Sequence, residues 1–463
     1  MSTPSTGSGH RHFDLAVIGS GSGNTIVDDS FADWKVAILE KGTFGGTCLN
    51  VGCIPTKMFV YPADQAYAAA HADPLGVHTS FDGARWTEIR DRVFGRIDPI
   101  SSSGRAWRAT GRDNVTLFEG HARFTDVRTL DTGTGETITA DHVVVATGSR
   151  PVLPDIPGLD DVPFHTSDTV MRIDDLPERV LVLGGGFVSA EFAHVFSSFG
   201  SQVTVVNRSG LMLRAEDREV ATRFTDVARE RWDLRLRTQV TRLEPAGAGV
   251  RAHLDDGTTV EADLLLVATG RRANSDQLDL DRTGVAVDDA GLVVVDDHQR
   301  TNVEGVWALG DVSNAFQLKH VSNAEARVIQ HNLHHPDDLR ATDHTHVPSA
   351  VFSHPQVASI GLSEEEAHAS GQKYVVGRHD YAGTAYGWAM EDHGSFAKVL
   401  ADPTTGLLLG AHVIGPQAAT LIQPLIQAMS LGQTAHEVAR GQYWIHPALT
   451  EVVENALLAL PGG

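Results

Sequence analysis

The chain is poor in cysteine, with two in 463 residues, and that scarcity excludes a secreted scaffold stapled by disulfides. The pair is also not accompanied by the further Cys or clustered His ligands that zinc spacing requires, so no metal is expected. No stretch approaches the roughly 18 apolar residues of a membrane-spanning helix, and the opening MSTPSTGSGHRH has no apolar signal-peptide core. We therefore expect a cytoplasmic protein with a short disordered leader over residues 1–12. Positive charge is short too. Thirty-seven Lys and Arg against 59 Asp and Glu give a formal net charge of -22, a balance that repels nucleic acid and anionic membrane surfaces. Neither is an expected partner. The rest of the composition, 41% hydrophobic and 21% charged, is that of a globular protein long enough for two to four domains.

What is present is a recurring unit. FDLAVIGSGSGN (13–24) is an apolar strand-like run that breaks into glycines, and KVAILEKG from Lys35 supplies a second strand ending in Glu40. Together they read as a βαβ unit. The pattern returns in RVLVLGGGFVSAEFAHVF (179–196), a strand, a glycine turn and an amphipathic helix, followed by the strand SQVTVVNRS (201–209). Two such units predict two nucleotide-binding domains. Three more apolar runs, HVVVATGSRP (142–151), LLLVATGRRAN (264–274) and VWALGDV (306–312), stop at glycines where backbone can approach a ligand. From about 346 the character changes to alternating short strands, FAKVLADPTTGLLLGAHVIG, and a helical stretch from Thr420, which predicts a separate α+β domain.

Gly19 and Gly21 fit the first two positions of GxGxxG, where one glycine makes the tight turn and the other admits a pyrophosphate at a helix N-terminus. Asn24 departs from the pattern at the third position. Glu40 is placed to bind a ribose hydroxyl. The second fingerprint runs Gly184, Gly186, Ser189, and its second strand ends in Asn207 and Arg208 instead of an acid. A missing carboxylate removes the repulsion of a 2'-phosphate, and Arg208 and Arg214 can pair with it, which favours NADPH over NADH. The alternative is that both arginines are solvated surface charges.

The two cysteines, Cys48 and Cys53, fall in GGTCLNVGCIPTK. In a regular helix, residues five apart have α-carbons about 8.6 Å apart, whereas disulfides usually span about 4.4–6.8 Å. They can be joined only if the backbone tightens, which Gly52 permits and Pro55 assists. A bridge in such a turn should be easily reduced, so the spacing suits a disulfide meant to open and close.

The segment resembles the redox-active stretch of the class I pyridine nucleotide disulfide reductases, the family of glutathione reductase and dihydrolipoamide dehydrogenase. The resemblance runs from residue 13 to about 460 in the same order: fingerprint, CxxxxC, second fingerprint, ATG turns, GD and a final HPALTE. It implies an α/β fold with two Rossmann-like domains, one binding FAD and one NADPH, and a C-terminal α+β dimerisation domain. The expected division is 13–157 for FAD, 158–276 for NADPH, 277–345 for the central second part of the FAD domain and 346–463 for the interface.

The resemblance also implies roles. Cys53 would be the thiolate beside the flavin and Cys48 the interchange thiol that attacks substrate. Lys57 and Glu191 match the ion pair beside flavin N5, and Asp311 the acid on the ribityl chain. Gly46, Thr47, Ala122, Thr147, Gly148, Gly310 and Lys319 join Gly19, Gly21 and Glu40 as the FAD set. Gly270 and Phe187 join Gly184, Gly186, Arg208 and Arg214 as the NADPH set, with Phe187 standing where glutathione reductases carry a tyrosine lid. His446 and Glu451 match the His/Glu dyad contributed across a homodimer with shared active sites. Segments outside the shared motifs, among them GSGSGNTIVD, VFGRIDPI, HTSDTVMRI, YGWAMED and ARGQYWIHPAL, resemble the mycothione-reducing branch of the family, which implies mycothione as the disulfide substrate. Dihydrolipoamide and glutathione chemistry in the same fold are the near alternatives, and a flavin-binding redox regulator without turnover is the alternative of another class. Trp388, Tyr386 and Tyr443 are read as interface core in preference to cleft walls.

Overall fold

The computed structural model describes residues 10–461. Residues 1–9 of the expected leader lie outside the described residues, and Arg11 and His12 already belong to the first strand, Arg11–Ile18. The chain divides into two compact units. One takes the chain up to Pro55, Asp91–Val152 and Arg271–His344, and the other takes Thr56–Arg90, Leu153–Gly270 and the chain from Thr345.

In the first unit, Arg11–Ile18 pairs in parallel with Val36–Leu39 on one side and Thr137–Val145 on the other. Val115–Phe118 extends the sheet beyond Val36–Leu39, and Val306–Ala308 joins the end of Thr137–Val145, again in parallel. Successive side chains point to opposite faces, so a parallel sheet must be covered on both. Ala16 and Ile18 enter one apolar cluster with Phe124 and Val143, while Leu15 and Val17 enter another with Ile26, Phe31 and Trp307. That double burial is why these strands read as unbroken apolar runs.

The βαβ expectation at the first glycine turn is corrected. No α-helix links Arg11–Ile18 to Val36–Leu39; two 3-10 turns, Gly23–Ile26 and Asp29–Phe31, make the crossing. The Asp28 carboxylate accepts from the Ser30 N–H at 2.9 Å and starts a new turn where a helix would have to continue. Buried Arg108 donates through Nη2 to the carbonyls of Asn24 and Val27 at 2.9 and 2.7 Å, taking up acceptors that an α-helix would have used internally.

The second unit has a four-stranded parallel sheet in the order Asp233–Leu236, Gln202–Asn207, Arg179–Leu183, Leu264–Val267. Here the expected helix follows the glycine turn, at Phe187–Ser198. Residues from Ser349 form a five-stranded antiparallel sheet, against which the helix Thr450–Leu458 packs Val452, Val453, Ala456 and Leu457 in one core with Val399, Ala401 and Val413. The expected α/β class with a C-terminal α+β part is what the chain adopts. No helix among the described residues is long and apolar enough to cross a membrane.

Candidate active site

Cys48 lies in a short helix, Gly46–Asn50, and Cys53 opens the long helix Cys53–Ala70; Val51 and Gly52 break the two apart. A methyl group on Gly52 would lie 2.9 Å from the Thr47 carbonyl oxygen and 3.2 Å from the Cys48 α-carbon. Only glycine lets the backbone double back this closely, which is how the pair escapes the helical separation. Both cysteines are free thiols, Cys48 half-buried and Cys53 exposed. Their side chains share a hydrogen bond, and the Cys53 sulfur pushes the Cys48 thiol far above its ordinary range, with burial acting in the same direction. Lys319 favours the thiolate form of both, although burial lowers its own pKa, and its Nζ donates to Ser22 Oγ at 2.8 Å.

Asn50, buried between the cysteines, donates through Nδ2 to the carbonyls of Phe44 and Gly46 at 2.9 and 3.0 Å and pins the loop. The motif reading passed over it; an amide-bearing residue inside a glycine-rich redox loop was the available signal. One turn along the helix from Cys53, Lys57 Nζ meets both oxygens of Glu191 at 2.7 and 2.8 Å. Glu191 also accepts from the Phe352 N–H at 3.0 Å, a third partner that no motif announces.

The first unit provides a cradle of the kind FAD needs. Gly19 has φ of 109°, and a methyl there would strike the Ala146 carbonyl oxygen at 2.3 Å. Gly21 and Gly46 face each other so closely that a methyl on Gly46 would lie 2.7 Å from the Gly21 α-carbon, bringing the redox loop against the glycine turn. Glu40 accepts from Ser20 N–H and Oγ at 2.9 and 2.6 Å, and Ser20 Oγ in turn accepts from Gly45 N–H at 2.8 Å. Thr147 Oγ1 and Asn24 Oδ1 are buried without a partner among the described residues, acceptors and donors that a polar ligand would satisfy. Gly148 beside Thr147 has open space around it, and Ala122 is buried. Asp311 accepts from Ser149 Oγ at 2.7 Å, while the Gly310 N–H donates to buried Glu325 at 2.6 Å, so Glu325 fixes the GD turn from behind. Thr47 is exposed.

The second glycine turn also fits its dinucleotide. A methyl on Gly184 would meet the Ala268 carbonyl oxygen at 2.3 Å, while Gly186 and Gly270 face open space and Ser189 Oγ is buried without a hydrogen-bond partner among the described residues. Phe187, 46% exposed, begins the helix beside the turn. Asn207 does not face outward. Its side chain packs on Gly185 and donates to the Leu211 carbonyl at 3.0 Å, leaving Arg208 and Arg214 as the exposed groups there. In the C-terminal part, His446 Nδ1 bonds Glu451 Oε1 at 2.8 Å, and the Ala448 N–H donates to the other carboxylate oxygen at 3.1 Å. The hydrogen bond from His446 holds the Glu451 carboxyl below its usual range. The imidazole is otherwise open, its side chain 72% exposed, and among the described residues its hydrogen-bond partner is Glu451.

Residues 13–327 match the model of the pyridine nucleotide-disulphide oxidoreductases, and residues 347–457 match that family's dimerisation domain. The chain belongs to this family. It is 52% identical over 457 residues to mycothione reductase of Mycobacterium tuberculosis, an alignment covering 97% of this chain and 99% of the relative. Dihydrolipoyl dehydrogenase of Haloferax volcanii is 35% identical, with 96% of each chain covered. Among solved structures, the HOCl-induced flavoprotein disulfide reductase RclA of Escherichia coli, as its Cu(II) complex, superposes with a TM-score of 0.86 at 28% identity, covering 97% of this chain and 99% of that one. The protein is accordingly a pyridine nucleotide-disulfide oxidoreductase with FAD and NADPH as its cofactors, and its dimerisation domain marks it as a homodimer.

Proposed function

We propose that the protein reduces mycothione, the disulfide of mycothiol, with electrons from NADPH, and that it does so in the cytoplasm. The observation that carries the choice of disulfide is the 52% identity, end to end, to a mycothione reductase, against 35% to a dihydrolipoyl dehydrogenase. The arginines at 208 and 214, where an acid would disfavour a 2'-phosphate, support NADPH as donor. We also propose the domain division given above, 13–157, 158–276, 277–345 and 346–463.

Gly19, Gly21, Glu40, Thr147, Asp311 and Lys319 would hold FAD, which when bound would supply two-electron chemistry between NADPH and the protein's sulfurs. Lys57 contributes a fixed cation where negative charge builds up, and Glu191 holds that cation in place. Opening of the Cys48–Cys53 bridge leaves Cys53 as the thiolate beside the flavin, as the family resemblance implies, and Cys48 as thiol, the form that its hydrogen bond with Cys53 and its burial favour. Cys48 then passes its proton to His446 and, as thiolate, attacks one sulfur of the substrate. A mixed disulfide forms on Cys48, and the other half of the substrate leaves as a thiolate that takes a proton from His446. Cys53 attacks the Cys48 sulfur and restores the bridge, releasing the second half as a thiolate that takes its proton from solvent. Glu451 orients His446 throughout. Tyr443 and Ile445, next to His446 in sequence, and Trp388, elsewhere in the C-terminal part, stand exposed on the single chain, as surfaces do that a second subunit covers, and this supports a partner's His446 completing each site.

The test offers the purified FAD-loaded enzyme NADPH with mycothione, glutathione disulfide and lipoamide in parallel. The expected result is oxidation of NADPH with mycothione at a kcat/KM at least about 100-fold above the other two. Equal use of lipoamide, or its preferred use with NADH, would overturn the reading.

A further inference from the structure

We infer that Arg237, on the loop after the strand Asp233–Leu236, is a third determinant of 2'-phosphate recognition together with Arg208 and Arg214; this rests on the proposed placement of the NADPH 2'-phosphate at Arg208. Three pieces of backbone meet at the second glycine turn. The Leu213 N–H donates to the Gly185 carbonyl at 2.7 Å, which folds the segment carrying Arg214 back onto that turn. The Arg237 N–H donates to the Ser209 carbonyl at 3.1 Å, and the Thr238 N–H to the Asn207 carbonyl at 3.3 Å, which pins the next loop against the same segment. Arg237 holds φ at 56°, in the left-handed region. Its guanidinium lies over Gly210, so close that a methyl group there would sit 2.9 Å from Nε. Gly210 is thus the space that lets Arg237 lie across the segment that carries Arg208 and Arg214.

The electrostatics fit this role without being unique to it, since the side chains of exposed Arg218 and Arg229 also meet no carboxylate among the described residues; what sets the three apart is the backbone that joins their segments. In a chain of net charge -22, other arginines of this unit find carboxylates: Arg179 with Asp263, Arg235 with Asp233, Arg251 with Glu261 and Arg378 with Glu219. The side chains of Arg208, Arg214 and Arg237 are exposed and meet no carboxylate among the described residues. Cations carried on one folded-back segment and on the loop pinned to it, without internal anions among the described residues, match a dianionic phosphate. Sequence order hides the third one, since Arg237 lies 29 positions after Arg208 and outside the βαβ fingerprint.

The experiment measures, by calorimetry on the FAD-loaded protein, the affinity for 2',5'-ADP and for 5'-AMP, which lacks the 2'-phosphate. Arg237→Gln should weaken 2',5'-ADP about tenfold, as expected for loss of one charge-assisted contact, and leave 5'-AMP unchanged. Arg237→Lys should recover part of that loss, and the salt dependence of 2',5'-ADP binding should be shallower in Arg237→Gln. If Arg208→Gln shows the selective loss and Arg237→Gln does not, this inference fails and the placement at Arg208 stands. If neither variant shows it, both fail. Equal weakening of 5'-AMP would make Arg237 a brace of the turn and overturn its role toward phosphate.

Discussion

Breaking the Lys57–Glu191 pair tests whether the redox helix depends on a buried charge. The two partners are unequal: the Glu191 side chain is 5% exposed and that of Lys57 35%. In Lys57→Met the carboxylate stays almost out of water with the Phe352 N–H as its remaining donor, and an unpaired buried charge of this kind costs about 3–5 kcal/mol. In Glu191→Gln the cation is left, but a lysine already one-third exposed can turn its ammonium to solvent along its flexible stem. Its loss should be smaller, about 1–2 kcal/mol. The double variant Lys57→Met/Glu191→Gln removes the orphaned charge and should be more stable than Lys57→Met alone, giving a coupling of about 2 kcal/mol. Urea denaturation of the four proteins at one protein and FAD concentration, followed by circular dichroism, measures this. Simple addition of the two single losses, or a Lys57→Met loss below that of Glu191→Gln, would refute the asymmetry. The same Lys57→Met protein should also be reduced by NADPH at least about tenfold more slowly in stopped flow, because the fixed cation is gone.

The remaining predictions concern the thiols, the dyad and acid stability. Cys48→Ser should give a coloured flavoprotein that NADPH still reduces but that turns over no disulfide; normal turnover in a steady-state assay would remove Cys48 from the attacking role. Glu451→Gln should lower kcat with disulfide roughly 10- to 100-fold while the rate of reduction by NADPH is unchanged, and an equal fall in both would show that Glu451 supports the fold and not His446. Burial, with Arg231, His194 and His71 around it, lowers the His354 pKa from 6.5 to about 3. The unfolded chain therefore binds a proton below about pH 6.5 that the folded chain refuses until about pH 3, so stability is lost as pH falls through that window, by up to roughly 5 kcal/mol. His354→Gln should take up one proton fewer on unfolding near pH 5, read from the pH dependence of the urea midpoint, and an unchanged slope would contradict this.

Much of the architecture was legible because its signals are local. A strand buried on both faces is an apolar run, as in Val36–Leu39, and a bridge five residues wide needs a break that Gly52 supplies. What stayed hidden depends on residues far away in sequence. The first glycine turn reads as the start of a helix, yet Arg108, 84 positions from Asn24, takes the carbonyls that the helix would need. Its own cost supports this account: Nε and Nη1 of that buried guanidinium have no partner among the described residues, and burial lowers its pKa to about 10. A cation held in such surroundings is retained for what it donates to, the turn that carries Gly23 and Asn24. The Phe352 N–H on Glu191 and the Glu325 carboxylate behind Gly310 are likewise joined to their partners across 161 and 15 residues. Motifs therefore locate the groups that would touch the cofactors and the substrate, while the residues that hold those groups at working distance come from elsewhere in the chain and emerge only once it is folded.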